Sequence, residues 1–234
     1  MNWTHSSAKA TAESALPFYY ASMVNLPNMI LLMIENREDV NAQGGQYGTA
    51  LQAASRKGNV DIVKLLLENG ADVNAQGGEY GNALQAASAQ FGGSVDIVKL
   101  LLENGADVNA QGGKYSNALQ AASSKENVDI IKLLLENGAD VNAQDGLYGS
   151  LEDNVDIVKL LLENGADVNA QGGVYGNALQ AASCGGQVDT VKLLLENGTD
   201  VNAQGGVYGN ALQAASPLGV PSSRYLWGHP TPHN

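Results

Sequence analysis

The tripeptide Val-Asn-Ala recurs along the chain at a nearly constant interval. Its copies begin at Val40, Val73, Val108, Val141, Val168 and Val201, so successive copies lie 33, 35, 33, 27 and 33 residues apart. A period of this size is far shorter than a domain. Each repeat is therefore a single supersecondary element, which buries its apolar face against the repeats beside it and has no core of its own.

One full repeat, residues 169–201, predicts two short helices joined by tight turns. Its glycine-rich start, NAQGGVYG, has no helical periodicity and suits a hairpin-like turn. The alanine-rich segment 178–183 predicts a first helix. Segment 188–198 predicts a second, with an acidic residue in its first turn and Gly198 as a left-handed cap. Helices this short are marginal alone in water, so their stability has to come from stacking.

The second helix and the turn after it, VDIVKLLLENGADVNAQ, resemble the outer helix and finger of ankyrin repeats. In that family the inner helix usually opens with Thr-Pro-Leu-His, where this chain has Asn-Ala-Leu-Gln or, at residues 49–52, Thr-Ala-Leu-Gln. The family's Thr and His exchange hydrogen bonds that brace the turn, and Asn and Gln have the donors and acceptors to do the same. The resemblance covers roughly residues 15–216 and implies an all-α ankyrin-repeat solenoid of stacked helix-turn-helix units with hairpin-like fingers.

The variant QGGxYGNALQAAS further resembles ankyrin arrays of fungal origin, which often lie at the C-terminal end of NACHT-type, NLR-like (STAND) proteins. This resemblance implies a protein–protein interaction module without catalysis, either the sensing arm or a fragment of such a protein. Two alternatives stay open. In the first, the chain is a decaying duplicate without a partner. In the second, which is the weakest, it is part of an enzyme whose catalytic domain is missing.

The repeats divide the chain into an array and two terminal segments. Residues 1–13 are expected to be a flexible segment, and residues 217–234, with four prolines, a disordered tail. Within the array, 14–216, we expect a degenerate first repeat at 14–40, full repeats at 41–73, 74–108, 109–141 and 169–201, a shortened repeat at 142–168 and a half repeat at 202–216.

The shortened repeat has lost its inner helix, since SLEDN at residues 150–154 stands where the next repeat has ALQAAS and a turn. Five residues, two of them acidic, are too few for a packed helix and a turn. One hypothesis is a weak joint that costs about 2–5 kcal/mol locally, by analogy with large-to-small core substitutions. In the alternative, the outer helix shifts inwards and the stack closes up.

The residue before the finger tyrosine differs in nearly every repeat, while the frame around it is constant. Such a position is exposed and free to set specificity, although drift on an unselected surface produces the same pattern. The tyrosine itself never changes and is either an interface anchor or a scaffold residue stacked on the next finger. The partner-binding candidates are Gln46, Tyr47, Glu79, Tyr80, Lys114, Tyr115, Leu147, Tyr148, Val174, Tyr175, Val207 and Tyr208.

The family resemblance adds the inner helices to this candidate surface. In ankyrin repeats the fingertips and the concave inner-helix face are the usual contact surface. Carried to this chain, that implicates five inner-helix glutamines, which alternatively brace the turn: Gln52, Gln85, Gln120, Gln180 and Gln213.

The residues that catalysis needs are not grouped within the repeats. The three histidines, His5, His229 and His233, lie in the terminal segments, and the single cysteine, Cys184, has no activating base near it in sequence. The sequence has neither clustered metal ligands nor a phosphate-binding glycine motif. We therefore expect no enzyme activity, no cofactor, no metal and no small-molecule substrate.

Charge and hydropathy narrow the class of partner. A net charge of −12 repels phosphate backbones, which argues against nucleic acid. The chain shows no secretory signal and no apolar run near the roughly 20 residues that span a bilayer, which argues against a membrane. We expect an intracellular, cytoplasmic monomer, with the nucleus left open, that binds a protein. An acidic to neutral surface favours a basic or polar partner over a lipid headgroup.

Overall fold

The computed structural model of the protein describes residues 17–90, 92, 94–143 and 154–216. The chain divides into two compact units, Met1–Asp140 and Val141–Asn234, each of which is described by itself. The predictions for the terminal segments and for residues 150–153 of the shortened repeat concern residues outside the described part.

Helices of the first unit alternate between an inner and an outer row. In chain order they are α1 (17–23), α2 (Pro27–Glu35), α3 (Ala50–Lys57), α4 (Val60–Glu68), α5 (Ala83–Ser88), α6 (Val95–Glu103), α7 (Ala118–Ser123) and α8 (Val128–Glu136). Odd-numbered helices form the inner row, in which α5 packs against α3 and α7, and even-numbered helices form the outer row. Each inner helix from α3 onwards also packs against the outer helix that follows it, as stacked repeats require.

The second unit has the same pattern of inner and outer helices. Its helices are α9 (Val155–Glu163), α10 (Ala178–Cys184), α11 (Val188–Glu196) and α12 (Ala211–Ala214). The outer helices α9 and α11 pack together, as do the inner helices α10 and α12, and α10 also contacts α11. The predicted all-α stack of helix-turn-helix units is therefore confirmed.

Inner helices begin where a polar side chain replaces the missing backbone partner of the first turn. Asn177 Oδ1 accepts a hydrogen bond from the Gln180 N–H at 2.8 Å, and Gln180 Oε1 accepts one from the Asn177 N–H at 3.1 Å. Thr49 and Gln52 form the same reciprocal capping box. The prediction that Asn and Gln perform the exchange made by Thr and His in the family is confirmed.

Outer helices are nine residues long and end in the same way. In α4, Ile62, Val63 and Leu66 are buried, and Gly70 then takes a left-handed φ of +83°. A left-handed residue at this position satisfies the last carbonyls of a helix. In the first repeat Arg37 replaces the glycine and holds a φ of +59°.

The core lies between the two rows and is built from small inner-helix and larger outer-helix side chains. In the third repeat, Ala86 and Ala87 of α5 are fully buried, together with Ile97, Val98 and Leu101 of α6. Alanine lets neighbouring inner helices approach closely, and the branched residues fill the space behind them. No helix of the described residues is long and apolar enough to cross a membrane.

Fingers connect each outer helix to the next inner helix. Within the described residues they contain no strand, only single antiparallel bridges, such as that between Gly44 and Gly48, where the Gly44 N–H donates to the Gly48 carbonyl at 2.8 Å. Equivalent bridges close the fingers at Gly77–Gly81, Gly172–Gly176 and Gly205–Gly209. The glycine-rich turns are therefore hairpin-like without forming a sheet.

Candidate protein-binding surface

The residue before each finger tyrosine, here called the tip residue, is tied by its backbone to the tip of the next finger. In the first unit the Glu79 N–H donates to the Gln46 carbonyl and the Lys114 N–H to the Glu79 carbonyl, each at 2.9 Å. In the second unit the Val207 N–H donates to the Val174 carbonyl at 3.0 Å. Because these bonds use backbone atoms, they hold the tips at a fixed spacing whatever side chain each one carries.

Most tip side chains face solvent. Gln46 and Lys114 are exposed, and Val174 and Val207 are 66% and 51% exposed, respectively. Glu79 is half-buried because its carboxylate accepts a short hydrogen bond from Gln46 Nε2 and lies 3.5 Å from Lys114 Nζ. The other two candidates, Leu147 and Tyr148, lie outside the described residues.

Finger tyrosines stack on one another from repeat to repeat. The ring centroids of Tyr47 and Tyr80 are 5.8 Å apart, and those of Tyr80 and Tyr115 are 6.1 Å apart. In the second unit Tyr175 and Tyr208 stack at 6.1 Å. Aromatic pairs of this kind contribute about 0.5–1.5 kcal/mol each beyond their buried area. This ladder favours the scaffold interpretation of the tyrosines, most clearly for Tyr80, which is only 6% exposed.

Tyr19 of helix α1 begins the tyrosine ladder, which the repeat pattern did not predict. Tyr19 lies 6.1 Å from the ring of Tyr47, and its hydroxyl accepts a hydrogen bond from the Tyr47 N–H at 3.4 Å. Burial raises the pKa of Tyr19 above its usual value. The degenerate first repeat therefore continues the ladder from its inner helix, although the described part of that repeat has no finger before it.

Cations cover the tyrosine ladder of the first unit, and the sequence reasoning missed them. The Arg56 guanidinium lies 5.2 Å from the Tyr80 ring centroid, and its Nε donates to the Tyr80 hydroxyl at 2.9 Å. Lys57 Nζ is 5.9 Å from the Tyr47 ring. A comparison of the ends of the inner helices could have revealed Arg56 in the sequence, since the matching position is alanine, serine or cysteine in the later full repeats.

Glutamines of the inner helices brace the finger of the following repeat. Gln180, 1% exposed, donates from Nε2 to the carbonyls of Ala203, Gly205 and Gly209 at 3.1–3.3 Å. Gln52 and Gln85 are likewise buried and donate to the next finger. Gln120 is also buried, whereas Gln213 is exposed, with no later finger in the described residues. Bracing therefore accounts for the buried glutamines and leaves them little surface for a partner.

Asparagines of the Val-Asn-Ala tripeptide form a second ladder, which sequence reasoning did not single out. Asn41 Nδ2 donates to the Gly70 carbonyl at 3.2 Å, and its Oδ1 accepts from the Asp72 N–H at 2.7 Å. Asp72 Oδ1 accepts from the Asn74 N–H at 2.9 Å, so this aspartate braces the turn after its outer helix. Asn74, Asn109, Asn142 and Asn169 repeat the pattern.

Cys184 lies at the end of α10 beside the tyrosine ladder of the second unit. Its Sγ is 3.3 Å from the Tyr208 hydroxyl, and this hydrogen bond raises the pKa of Tyr208 to about 12. A phenol is neutral at physiological pH and gives the thiol no activating base. The described residues contain no group of three His, Cys, Asp or Glu side chains able to hold a metal ion.

Comparison with known proteins agrees with this architecture. A family model for ankyrin repeats matches the chain in three copies, over residues 18–112, 81–145 and 147–216. The chain therefore belongs to the ankyrin repeat family, whose repeats generally act as protein–protein interaction modules and not as catalysts. A search of curated proteins gave no match.

Solved ankyrin structures resemble the chain over most of its length. The human ASB11 ankyrin repeat domain is 25% identical with a TM-score of 0.72, over 93% of this chain and 99% of that domain. The ankyrin repeat domain of Bcl-3, described as a unique member of the IkappaB protein family, is 24% identical with a TM-score of 0.68, over 86% of this chain and 94% of that domain. At this identity the Bcl-3 likeness shows the fold alone.

Proposed function

We propose that the chain is a protein–protein interaction module whose partner contacts the tip residues and the adjoining inner-helix ends. The observation that supports this most is that the tips within each unit are linked backbone to backbone. They present exposed side chains at Gln46 and Lys114 in the first unit and at Val174 and Val207 in the second, on a frame that is otherwise constant. Rigid presentation lowers the entropy that a partner loses on binding.

The finger tyrosines contribute to this surface mainly as support. Tyr47, Tyr115, Tyr175 and Tyr208 are half-buried, so each leaves part of its side chain to a partner while its ring packs on the ladder. Leu147 and Tyr148, in the shortened repeat, belong to the proposal on sequence grounds alone. We propose that the module acts as an intracellular monomer without a cofactor.

A narrower proposal concerns the protein to which such a module belongs. The QGGxYGNALQAAS motif supports a sensing arm, or a fragment, of a fungal NLR-like protein. The alternative is a decaying duplicate without a partner, which the loss of ALQAAS from the shortened repeat favours. Cooperative unfolding together with a saturable partner would exclude decay.

Affinity capture from the native lysate tests the interaction module. The bait variant is Gln46→Ala/Lys114→Ala/Val207→Ala, which changes exposed tips and leaves the backbone links intact. We expect it to lose one or more proteins that the wild-type chain retains, measured by quantitative mass spectrometry. Purified protein with the lost candidate should then show saturable binding.

A matched control changes residues of the outer helices instead of the tips. Lys64→Ala/Lys99→Ala/Lys192→Ala alters three exposed outer-helix residues and should retain the wild-type set. If the tip variant and the wild type capture the same proteins, or the outer-helix variant loses the same ones, the tips are not the binding surface.

A further inference from the structure

Charged side chains of the first unit are divided unequally between its two sides. Along residues 17–140, the outer helices and the loops after them carry twelve carboxylates and four cations. Fingers, inner helices and the turns after them carry four cations and two carboxylates: Arg56, Lys57, Lys114 and Lys125 against Glu79 and Glu126. The inner side is therefore locally positive in a protein whose net charge is −12.

All four inner-side cations lie against tyrosine rings. Besides Arg56 and Lys57, Lys114 Nζ and Lys125 Nζ lie 5.6 and 5.7 Å from the Tyr115 ring centroid. A cation over an aromatic face is held by the ring quadrupole without neutralisation of its charge. The rings of Tyr47, Tyr80 and Tyr115 thus help to position these four charges, two of which belong to repeat 41–73 and two to repeat 109–141.

Neither Arg56 nor Lys57 has its charge balanced by a nearby carboxylate in the described part of the chain. Within the described residues, no carboxylate oxygen lies within 4.0 Å of either one, whereas Lys114 lies 3.5 Å from Glu79. Arg56 uses Nε for the Tyr80 hydroxyl, and its two terminal nitrogens take no part in that hydrogen bond. Two terminal nitrogens can bind a carboxylate through two parallel hydrogen bonds.

The second unit provides a contrast within the same chain. Its described inner side, residues 169–187 and 202–216, has the same tyrosine ladder but carries no charged side chain. The cations are therefore not required for a finger of this type to fold. Their concentration on one part of the inner side calls for an explanation beyond scaffold stability.

We propose that the inner side of repeats 41–141, with Arg56 and Lys57 at its centre, binds an acidic peptide segment of a partner protein. This rests on the proposed interaction module and replaces the expectation of a basic partner, which came from net charge alone. Carboxylates of the segment bind the cations, and its apolar parts contact the half-buried tyrosines. Since charges are screened beyond about 10 Å at 0.1 M salt, the outer-helix carboxylates repel such a segment only weakly.

Selection from a phage-displayed random peptide library on the full chain tests the proposal. We expect enriched peptides to contain an excess of Asp and Glu. Arg56→Gln/Lys57→Gln should weaken their binding by about tenfold or more, since hydrogen bonds to charged groups contribute free energies of that order. Thermal melts check that the variant is folded.

The charge-matched control is Lys64→Gln/Lys99→Gln, which removes the same charge from exposed outer-helix positions. It should leave peptide affinity within about twofold of wild type, because distant exposed charges are largely screened. Equal weakening by both variants would indicate a general charge effect and would overturn the proposal.

Other outcomes separate the acidic segment from the interaction module itself. Peptides without excess acid that bind Arg56→Gln/Lys57→Gln normally but lose binding to the tip variant would overturn the acidic segment and leave the module. No enrichment over uncoated support would overturn both. Labelled oligouridylate that binds wild type, and loses binding to Arg56→Gln/Lys57→Gln, would replace the peptide with nucleic acid.

Discussion

Ser116 occupies a backbone conformation that other fingers assign to glycine. Its φ is +66°, where Gly48, Gly81, Gly176 and Gly209 hold values of +82° to +99°. A side chain in the left-handed region costs about 1–2 kcal/mol, of which the greater freedom of glycine in the unfolded chain offsets part. We predict that Ser116→Gly raises the free energy of unfolding by about 0.5–1 kcal/mol, measured by urea denaturation.

Gly81→Ser is the reverse substitution and the control for Ser116→Gly. A Cβ at Gly81 would lie 2.5 Å from Gln85 Oε1 and 2.9 Å from the Gly112 carbonyl carbon, so we expect a clear loss of stability. If Ser116→Gly were neutral or destabilising, the strain at residue 116 would not exceed the entropic cost of glycine, and the prediction would be wrong.

Two glutamines at the same repeat position differ in whether a finger follows them within the described residues. Gln180 is 1% exposed and serves three carbonyls of the next finger, whereas Gln213 is exposed. We predict that Gln180→Ala lowers the free energy of unfolding by about 2 kcal/mol, because buried carbonyls lose their donor. Gln213→Ala should stay within about 0.5 kcal/mol. Equal losses in chemical denaturation would mean that the glutamine stabilises its own helix only.

At the scale of the helix, neighbouring elements are joined by asparagines at outer-helix starts. Asn127, just before α8, donates from Nδ2 to the Ser88 and Gln90 carbonyls at the end of α5, at 3.1 and 2.8 Å. Asn59 reaches the Ser22 carbonyl at the end of α1 in the same way. These bonds close the C-terminal end of a six- or seven-residue inner helix, which has few intrahelical bonds of its own.

We predict that Asn127→Ala costs about 1–2 kcal/mol of stability, since the Ser88 carbonyl of α5 and the Gln90 carbonyl just after it lose this donor. Asn137→Ala in the same repeat is the control, because Asn137 is exposed and bonds only to Leu133 of its own helix among the contacts described. Hydrogen exchange of α5 amides should rise in the first variant. Unchanged α5 protection would contradict a role in joining the helices.

The repeat period was sufficient to predict the helices, their order and the capping exchange between Asn177 and Gln180, because all of these follow from local patterns. It did not predict which polar side chains cross from one repeat to the next. The asparagine ladder from Asn41 onwards and the stacking of Arg56 on Tyr80 join residues that are distant in sequence, such as the pairs 29 and 24 positions apart that Asn41 forms with Gly70 and Arg56 with Tyr80. A constant residue has the same appearance in sequence whether it faces solvent or the next repeat, so orientation had to come from the structure.

For the molecule as a whole, acidic side chains are repeated at matching positions of every outer helix. Glu68 and Glu103 are exposed and end α4 and α6, where the negative end of the helix dipole disfavours a carboxylate. Stacking brings such helices side by side, so like charges recur along the outer row. Screening by salt should weaken this repulsion.

We predict that added sodium chloride raises the melting temperature of the wild-type chain. Glu68→Gln/Glu103→Gln should melt higher at low salt and respond less to salt, as measured by circular dichroism. Lys64→Gln/Lys99→Gln, which makes the outer row more acidic, should shift in the opposite direction. A variant pair with the same salt response as wild type would show that outer-row repulsion does not limit stability.

The links between successive tips have an evolutionary consequence. Residues 79, 114 and 207 each contribute an N–H to their link, and nothing in the link depends on the side chain. Nineteen of the twenty amino acids therefore supply this N–H, and proline alone does not. Lineages that carry this array can exchange one tip after another without passing through an unfolded intermediate.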